Sequence, residues 1–129
     1  MSNLLQFHYK GPIMGKPRMT RADTWKKRPV IMRYWAYKDK LKEAAEKAKY
    51  VPGEKLDIMF SLEMPVSWSK VRKTAMLNQP HKNKPDIDNL CKAFMDCLLA
   101  DDSHVWHLNA TKYWGFENEI FIFKNTDDG

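Results

Sequence analysis

The sequence contains little cysteine and no long hydrophobic run, and each absence excludes a class of protein. Two cysteines, Cys91 and Cys97, are too few for a disulfide framework and lack the clustered histidines of a zinc site, so we expect both in the core. No apolar stretch approaches the ~18 residues of a membrane-spanning helix. Residues 1–9 lack the basic and apolar regions of a signal peptide, which predicts a cytoplasmic protein with no membrane partner.

The residues that are present are sufficient for one packed domain. The chain has 129 residues, of which 43% are hydrophobic and 12% aromatic. Single cores typically occupy about 100–200 residues, and a chain of this size buries about two-thirds of its unfolded surface. No internal repeat or low-complexity segment divides the sequence. We therefore expect a single domain over residues 1–129.

The charge is distributed unevenly along the chain. Residues 1–85 carry 19 Lys and Arg against seven Asp and Glu, a net charge of +12. Residues 86–129 carry three against nine, a net charge of −6. A basic first part and an acidic last part suit a protein that binds a polyanion with one and a cation with the other. The alternative is ordinary solvation of the surface.

Hydrophobic periodicity predicts an α+β domain, with a mixed sheet of about four strands covered on one side by two main helices. Apolar residues occupy both faces of the last strand, which fits either a central strand or a dimer surface. The segment 67–78 fits a short basic helix or a disordered arm. The strands are predicted over 3–9, 56–64, 105–114 and 119–124, the helices over 32–50 (ended by Pro52-Gly53) and 88–99, and basic loops over 11–29 and 80–85.

Four charged residues are the candidates for catalysis. Asp86 and Asp88 stand at the start of the second predicted helix, Lys92 follows one turn later, and Asp102 comes after the helix. Carboxylate oxygens are ligands for hard cations such as Mg²⁺, and a lysine beside them stabilises charge on a phosphate. Each candidate has a structural alternative. Asp88 fits a helix N-cap, Asp102 a solvated turn, and Lys92 a surface ion pair with Asp88.

Basic residues before position 86 provide a candidate DNA-binding surface. Binding to the phosphate backbone needs cations spread over a face, and stacking on bases needs aromatic side chains. Trp25, Trp35 and Trp68 are interleaved with the basic segments, although we favour core packing for each of them. The candidate DNA-binding residues are Lys16, Arg18, Arg21, Lys70, Arg72, Lys73, Lys82 and Lys84.

The central motif of the chain resembles the RusA family of Holliday-junction resolvases, particularly its phage and prophage members. The pattern acid-x-acid-Asn-Leu-x-Lys stands at 86–92 (DIDNLCK), and the paired-Asp turn stands at 101–105 (DDSHV). Further agreement lies in GKPR at 15–18, FSLEMP at 60–65 and Lys112. His104 departs from the pattern, because many members have Gln there.

The resemblance implies a single RusA-like domain that forms a homodimer and cuts DNA with Mg²⁺, for which Mn²⁺ can substitute. Its substrate is then a four-way DNA junction, resolved by paired nicks in recombination and repair. By position, Asp86, Asp88 and Asp102 are the catalytic metal ligands, and Lys92 is the catalytic lysine. Two alternatives are a non-catalytic basic module that binds nucleic acid and a metal nuclease that cuts flaps or forks.

The choice between Asp101 and Asp102 rests partly on strand geometry. If the strand extends back to the paired-Asp turn, residues 102, 104, 106, 108 and 110 share one face. Asp102 then points towards the helices and Asp101 points away. We therefore expect Asp102 to be the metal ligand of this turn.

Overall fold

The computed structural model describes residues 3–18 and 28–125. These residues form β1 (Asn3–Lys10), α1 (Pro29–Ala48), β2 (Lys55–Glu63), α2 (Lys70–Met76), α3 (Ile87–Leu98), β3 (His107–Gly115) and β4 (Glu119–Asn125). The predicted α+β class and the order of elements are confirmed, and the segment 67–78 contains the short helix α2. Among the described residues, no helix combines the length and the apolar character needed to cross a bilayer.

A mixed four-stranded sheet, in the order β1-β4-β2-β3, organises the fold. β4 pairs antiparallel with both β1 and β2, whereas β3 pairs parallel with β2. The last strand, β4, is therefore a central strand, which was one of the two interpretations of its apolar faces. Its Ile120 and Ile122 are buried in the core, and Phe121 and Phe123 are half-buried on the opposite face.

The core lies between one face of this sheet and the helices α1 and α3. Alternate residues of β2 are buried, from Leu56 to Leu62, which is the period of a strand with one face inward. Full burial of each such apolar side chain contributes about 1.5–3 kcal/mol. Cys91 and Cys97 are both buried and unbridged, as predicted, and burial raises the pKa of the Cys91 thiol to about 11.

The ends of α1 differ from the predicted ends. The helix begins at Pro29, three residues early, because proline at the first position fits the helix and loses no backbone bond. It ends at Ala48 rather than at Pro52-Gly53, since Lys49 adopts a left-handed conformation with φ of 55°. Trp35, expected in the core, is 39% exposed on this helix.

β3 begins at His107, two residues later than predicted. Its pairing with β2 begins at Lys55 opposite His107, because β2 itself begins there. The residues before the strand form a turn, in which the Val105 N–H donates to the Asp102 carbonyl oxygen at 3.1 Å. Strand alternation therefore does not extend to residues 102, 104 and 106. The argument that Asp102 shares a face with residues of the strand is wrong.

Candidate active site

Asp86 and Asp88 lie together at the N-terminal end of α3, and both side chains are exposed. The capping alternative for Asp88 is wrong, because Asp86 occupies the N-cap position and Asp88 lies in the first turn. Within the described residues, the Asp86 side chain makes no capping hydrogen bond. The positive end of the helix dipole stabilises negative charge at both positions. Two carboxylates are thus presented to solvent at the start of one helix.

Lys112 fixes the segment that carries Asp86. It stands in β3 opposite Phe60 of β2, and its Nζ donates to the carbonyl oxygens of Asn83 at 2.5 Å and Pro85 at 2.7 Å. Because Pro85 immediately precedes Asp86, these bonds tie the start of α3 to the sheet. In the sequence, Lys112 stands out only through the family resemblance, which does not predict this contact. The sequence did contain one indication of a special role for Lys112, because it is a single lysine between Ala110 and Trp114 on the inward face of a strand.

Lys92 is exposed on α3, one helical turn after Asp88. Residues four apart lie on the same face of a helix, so Asp88, Lys92 and Asp96 follow one another along it. Among the described residues, however, no ion pair joins Lys92 to either aspartate. The surface ion pair that was the structural alternative for Lys92 is therefore absent from this part of the chain.

Asp96 instead binds the loop that follows β1. Lys16 Nζ lies 2.5 Å from Asp96 Oδ2, and Asn89 Nδ2 donates to the Lys16 carbonyl oxygen at 3.0 Å. The approach is close, since a Cβ added at Gly15 would lie 2.6 Å from Asn89 Nδ2. The early GKPR motif therefore packs against the face of α3 that carries Asp88 and Lys92. Lys16, a predicted DNA contact, already has a carboxylate partner.

The two aspartates of the acidic turn have different environments. Asp101 Oδ1 accepts a hydrogen bond from the Ser103 N–H at 3.0 Å, and this bond holds the pKa of Asp101 below its ordinary value. Such a bond from a side chain to the backbone two residues later is typical of Asp in turns. The Asp102 carboxylate is exposed and, among the described residues, has no hydrogen bond or ion pair. Asp102 is thus the aspartate of this turn that is available to a ligand.

The three candidate acids are not gathered into one cluster. Over residues 3–18 and 28–125, no three Asp, Glu, His or Cys side chains are close enough to bind one metal ion. β3 runs beside α3. It reaches the start of the helix at Lys112, ten residues after Asp102.

The predicted basic residues lie on different parts of the fold. Lys82 and Lys84 are exposed on the segment that leads directly into Asp86, and α2 carries three further cations. Arg18 is exposed at the end of the first described range, where its carbonyl oxygen accepts a bond from Arg28 Nη2 at 2.9 Å. Arg21, also predicted to bind DNA, lies outside the described residues. The cations on α2 are Lys70, Arg72 and Lys73.

Comparison with known proteins gives one family. Residues 10–123 match the family described as Endodeoxyribonuclease RusA, which covers most of the chain. The matched range includes all of α3, the acidic turn and Lys112. No curated protein matches the chain.

Proposed function

Since the chain belongs to the RusA family of endodeoxyribonucleases, we propose that it is a Mg²⁺-dependent endonuclease that resolves four-way DNA junctions by paired nicks. The observation that carries the proposal is the start of α3. There Asp86 and Asp88 are exposed at the helix start and Lys92 is exposed one turn after Asp88, without the capping hydrogen bond or the ion pair that would give them a structural role within the described residues. Exposed carboxylates beside a lysine suit the hydrolysis of a phosphodiester.

The donor chemistry of these residues fits a divalent cation. Asp86, Asp88 and Asp102 offer hard carboxylate oxygens, which Mg²⁺ prefers. The described residues contain no group of three such ligands, so substrate phosphate and water would supply further ligands to an ion held here, as is usual for Mg²⁺. When bound, Mg²⁺, or Mn²⁺ in its place, neutralises phosphate charge and lowers the pKa of a coordinated water.

Two lysines of the chain have the other roles in the proposed reaction, namely charge stabilisation and positioning. Lys92 donates to a non-bridging oxygen of the scissile phosphate and stabilises the negative charge that grows there in the transition state. Lys112 holds the Pro85–Asp86 segment in place through the Pro85 carbonyl oxygen. Such positioning matters because displacement of a reacting group by about 1 Å can cost about 10²-fold in rate.

The basic residues of α2 and of segment 80–84 bind the DNA backbone, and a second copy of the chain completes the enzyme. A four-way junction has a near-two-fold axis, and an isologous dimer presents two equivalent sites to it. The sheet face opposite α1 and α3 supports this assembly, since it presents Met59, Phe121 and Phe123 half-buried. We propose that this face meets the partner subunit.

A panel of labelled DNA substrates tests the proposal. Four-way junctions, flaps, forks and linear duplexes of matched sequence are incubated with the protein in Mg²⁺ and, separately, in EDTA. We expect cleavage of the four-way junction in Mg²⁺ and none in EDTA. Preferential cutting of flaps or forks would identify a different nuclease, and junction binding without any cutting would identify a non-catalytic binding module.

A further inference from the structure

We propose that a cavity beside α2 binds one unpaired DNA base together with its phosphate. The inference rests on the proposed function only in taking DNA as the ligand. The cavity has a volume of about 300 Å³, at the lower end of the range for small-ligand pockets. Its walls include Trp68, Arg72, Met76, Lys82, Asn83 and Trp114.

One wall of this base cavity is a cluster of planar side chains whose rings are tilted relative to one another. Trp114 of β3 is only 6% exposed, and the ring centroid of Trp68 lies 4.8 Å from its own. The Arg72 guanidinium carbon lies 3.9 Å from the Trp68 centroid, and the His81 ring lies 4.0 Å from Trp114. Contacts among these side chains order them before any ligand arrives, which lowers the entropic cost of binding.

Core packing does not account for the position of α2. None of its seven residues, all of which the structure describes, is buried. The helix is held near the sheet by the segment after it, which pairs with the edge strand β3. The Asn78 N–H donates to the Trp114 carbonyl oxygen at 2.9 Å, and the His81 N–H donates to that of Lys112 at 3.0 Å. These bonds fix a basic helix and the Trp68 ring over the cavity.

The side chains that line the cavity indicate the chemical class of its ligand. Arg72 and Lys82 are cationic, and no Asp or Glu is among the described residues that form the cavity. Cations alone would suit any phosphate, but the Trp68 ring, which is less buried than Trp114, adds an aromatic surface for a planar ring to stack on. A nucleotide offers both groups, with the base on the aromatic wall and the phosphate near the cations. An unpaired base is required because a paired base has its faces covered by neighbours in the duplex.

The cavity is linked to the start of α3 through Asn83. Asn83 forms part of its wall, and the Asn83 carbonyl oxygen accepts the same Lys112 ammonium that holds Pro85. Asp86 is three residues after Asn83, a span of at most about 11 Å. A strand whose backbone passes Asp86 and Asp88 can therefore place a neighbouring base in the cavity. The crossover of a four-way junction, where stacking is interrupted, is where such a base is available.

The test compares binding of two single-stranded probes in EDTA, so that cleavage plays no part. One probe is a short labelled oligothymidylate, and the other is an abasic deoxyribose-phosphate chain of the same length. We expect the wild-type protein to bind the oligothymidylate about 5- to 150-fold more tightly, which is the usual range for stacking one base. Trp68→Ala should abolish most of this preference and leave binding of the abasic chain nearly unchanged. Trp68→Phe, which keeps an aromatic face, should retain most of it.

Trp106→Ala is the matched control. Trp106 is 64% exposed and precedes β3, about 26 Å of extended strand away from Trp114. The inference is overturned if the wild type shows no preference for bases, if Trp68→Ala keeps the preference, or if Trp106→Ala loses it equally. Thermal unfolding shows whether Trp68→Ala is folded, and Trp68→Phe decides the matter if it is not. Junction cleavage without a preference for bases would refute the cavity alone, whereas a Trp68-dependent preference without cleavage would refute the proposed nuclease function alone.

Discussion

Replacing Lys92 with alanine should slow DNA cleavage far more than it destabilises the fold. Lys92 is exposed, and among the described residues it forms no ion pair that the substitution could break. Exposed helical ion pairs contribute only about 0.3–0.5 kcal/mol in any case, and alanine is slightly the better helix former. We expect the free energy of unfolding to change by less than about 0.5 kcal/mol, and the thermal midpoint by less than about 3 °C.

Lys92→Ala should raise the activation free energy of cleavage by several times more than it changes the free energy of unfolding. Removal of one donor to developing negative charge costs about 10²- to 10³-fold in rate, or about 2.7–4 kcal/mol. Single-turnover cleavage of a labelled four-way junction at saturating Mg²⁺ measures this loss. Lys40→Ala serves as the control, because Lys40 is an exposed lysine on α1. Its cleavage rate should equal that of the wild type.

Two results would refute this reasoning. Unchanged cleavage by Lys92→Ala, with an unchanged thermal midpoint, would make Lys92 an ordinary surface residue of α3. A large fall in the midpoint that accounts for the lost cleavage would make its role structural. Lys92→Arg separates charge from geometry, since it keeps the cation but changes its reach and shape.

Three further predictions concern substitutions in the candidate active site, and a fourth concerns the oligomeric state. Asp88→Asn should abolish cleavage in Mg²⁺ yet keep or increase junction affinity measured by anisotropy, because it removes negative charge from a phosphate site; parallel loss of binding would indicate a structural role. Asp102→Asn should abolish cleavage, whereas Asp101→Asn should retain measurable cleavage because Asp101 serves the Ser103 N–H; the opposite ranking would show that the assignment is wrong. Lys112→Met should lower stability by about 2 kcal/mol and slow cleavage, since two carbonyl oxygens lose a charged donor, and Lys112→Arg should restore part of both; an unchanged thermal midpoint would contradict this. Light scattering at micromolar concentration should give about twice the chain mass of 15.2 kDa, and a monomer at concentrations where junctions are cut would exclude the dimer.

The regular elements were predictable because local patterns determine them. Alternation from Leu56 to Leu62 identified β2, and helical spacing identified α1 and α3. The errors lie at the ends of elements, where the deciding contact comes from elsewhere in the chain. β3 begins at His107 because its partner β2 begins at Lys55, and nothing near residue 105 encodes that limit.

The composition of the candidate site was predictable, but its internal contacts were not. Asp88 and Lys92 are four residues apart, so a helix over this segment places them one turn apart on the same face, with Asp86 two residues before Asp88. Lys112 reaches Pro85 only because β3 lies beside the start of α3, and Lys16 reaches Asp96 only because a loop packs on that helix. Both contacts join residues far apart in sequence, so periodicity carries no information about them.

The central claim is that this protein cuts a four-way junction twice, in opposed strands. The most direct measurement maps the cuts on a junction labelled on each strand in turn, under single-turnover conditions in Mg²⁺. We predict nicks at symmetric positions in two opposed strands, leaving ends that DNA ligase seals, and no cuts in EDTA. Cuts confined to one strand, unligatable ends, or equal cutting of linear duplex would contradict the claim.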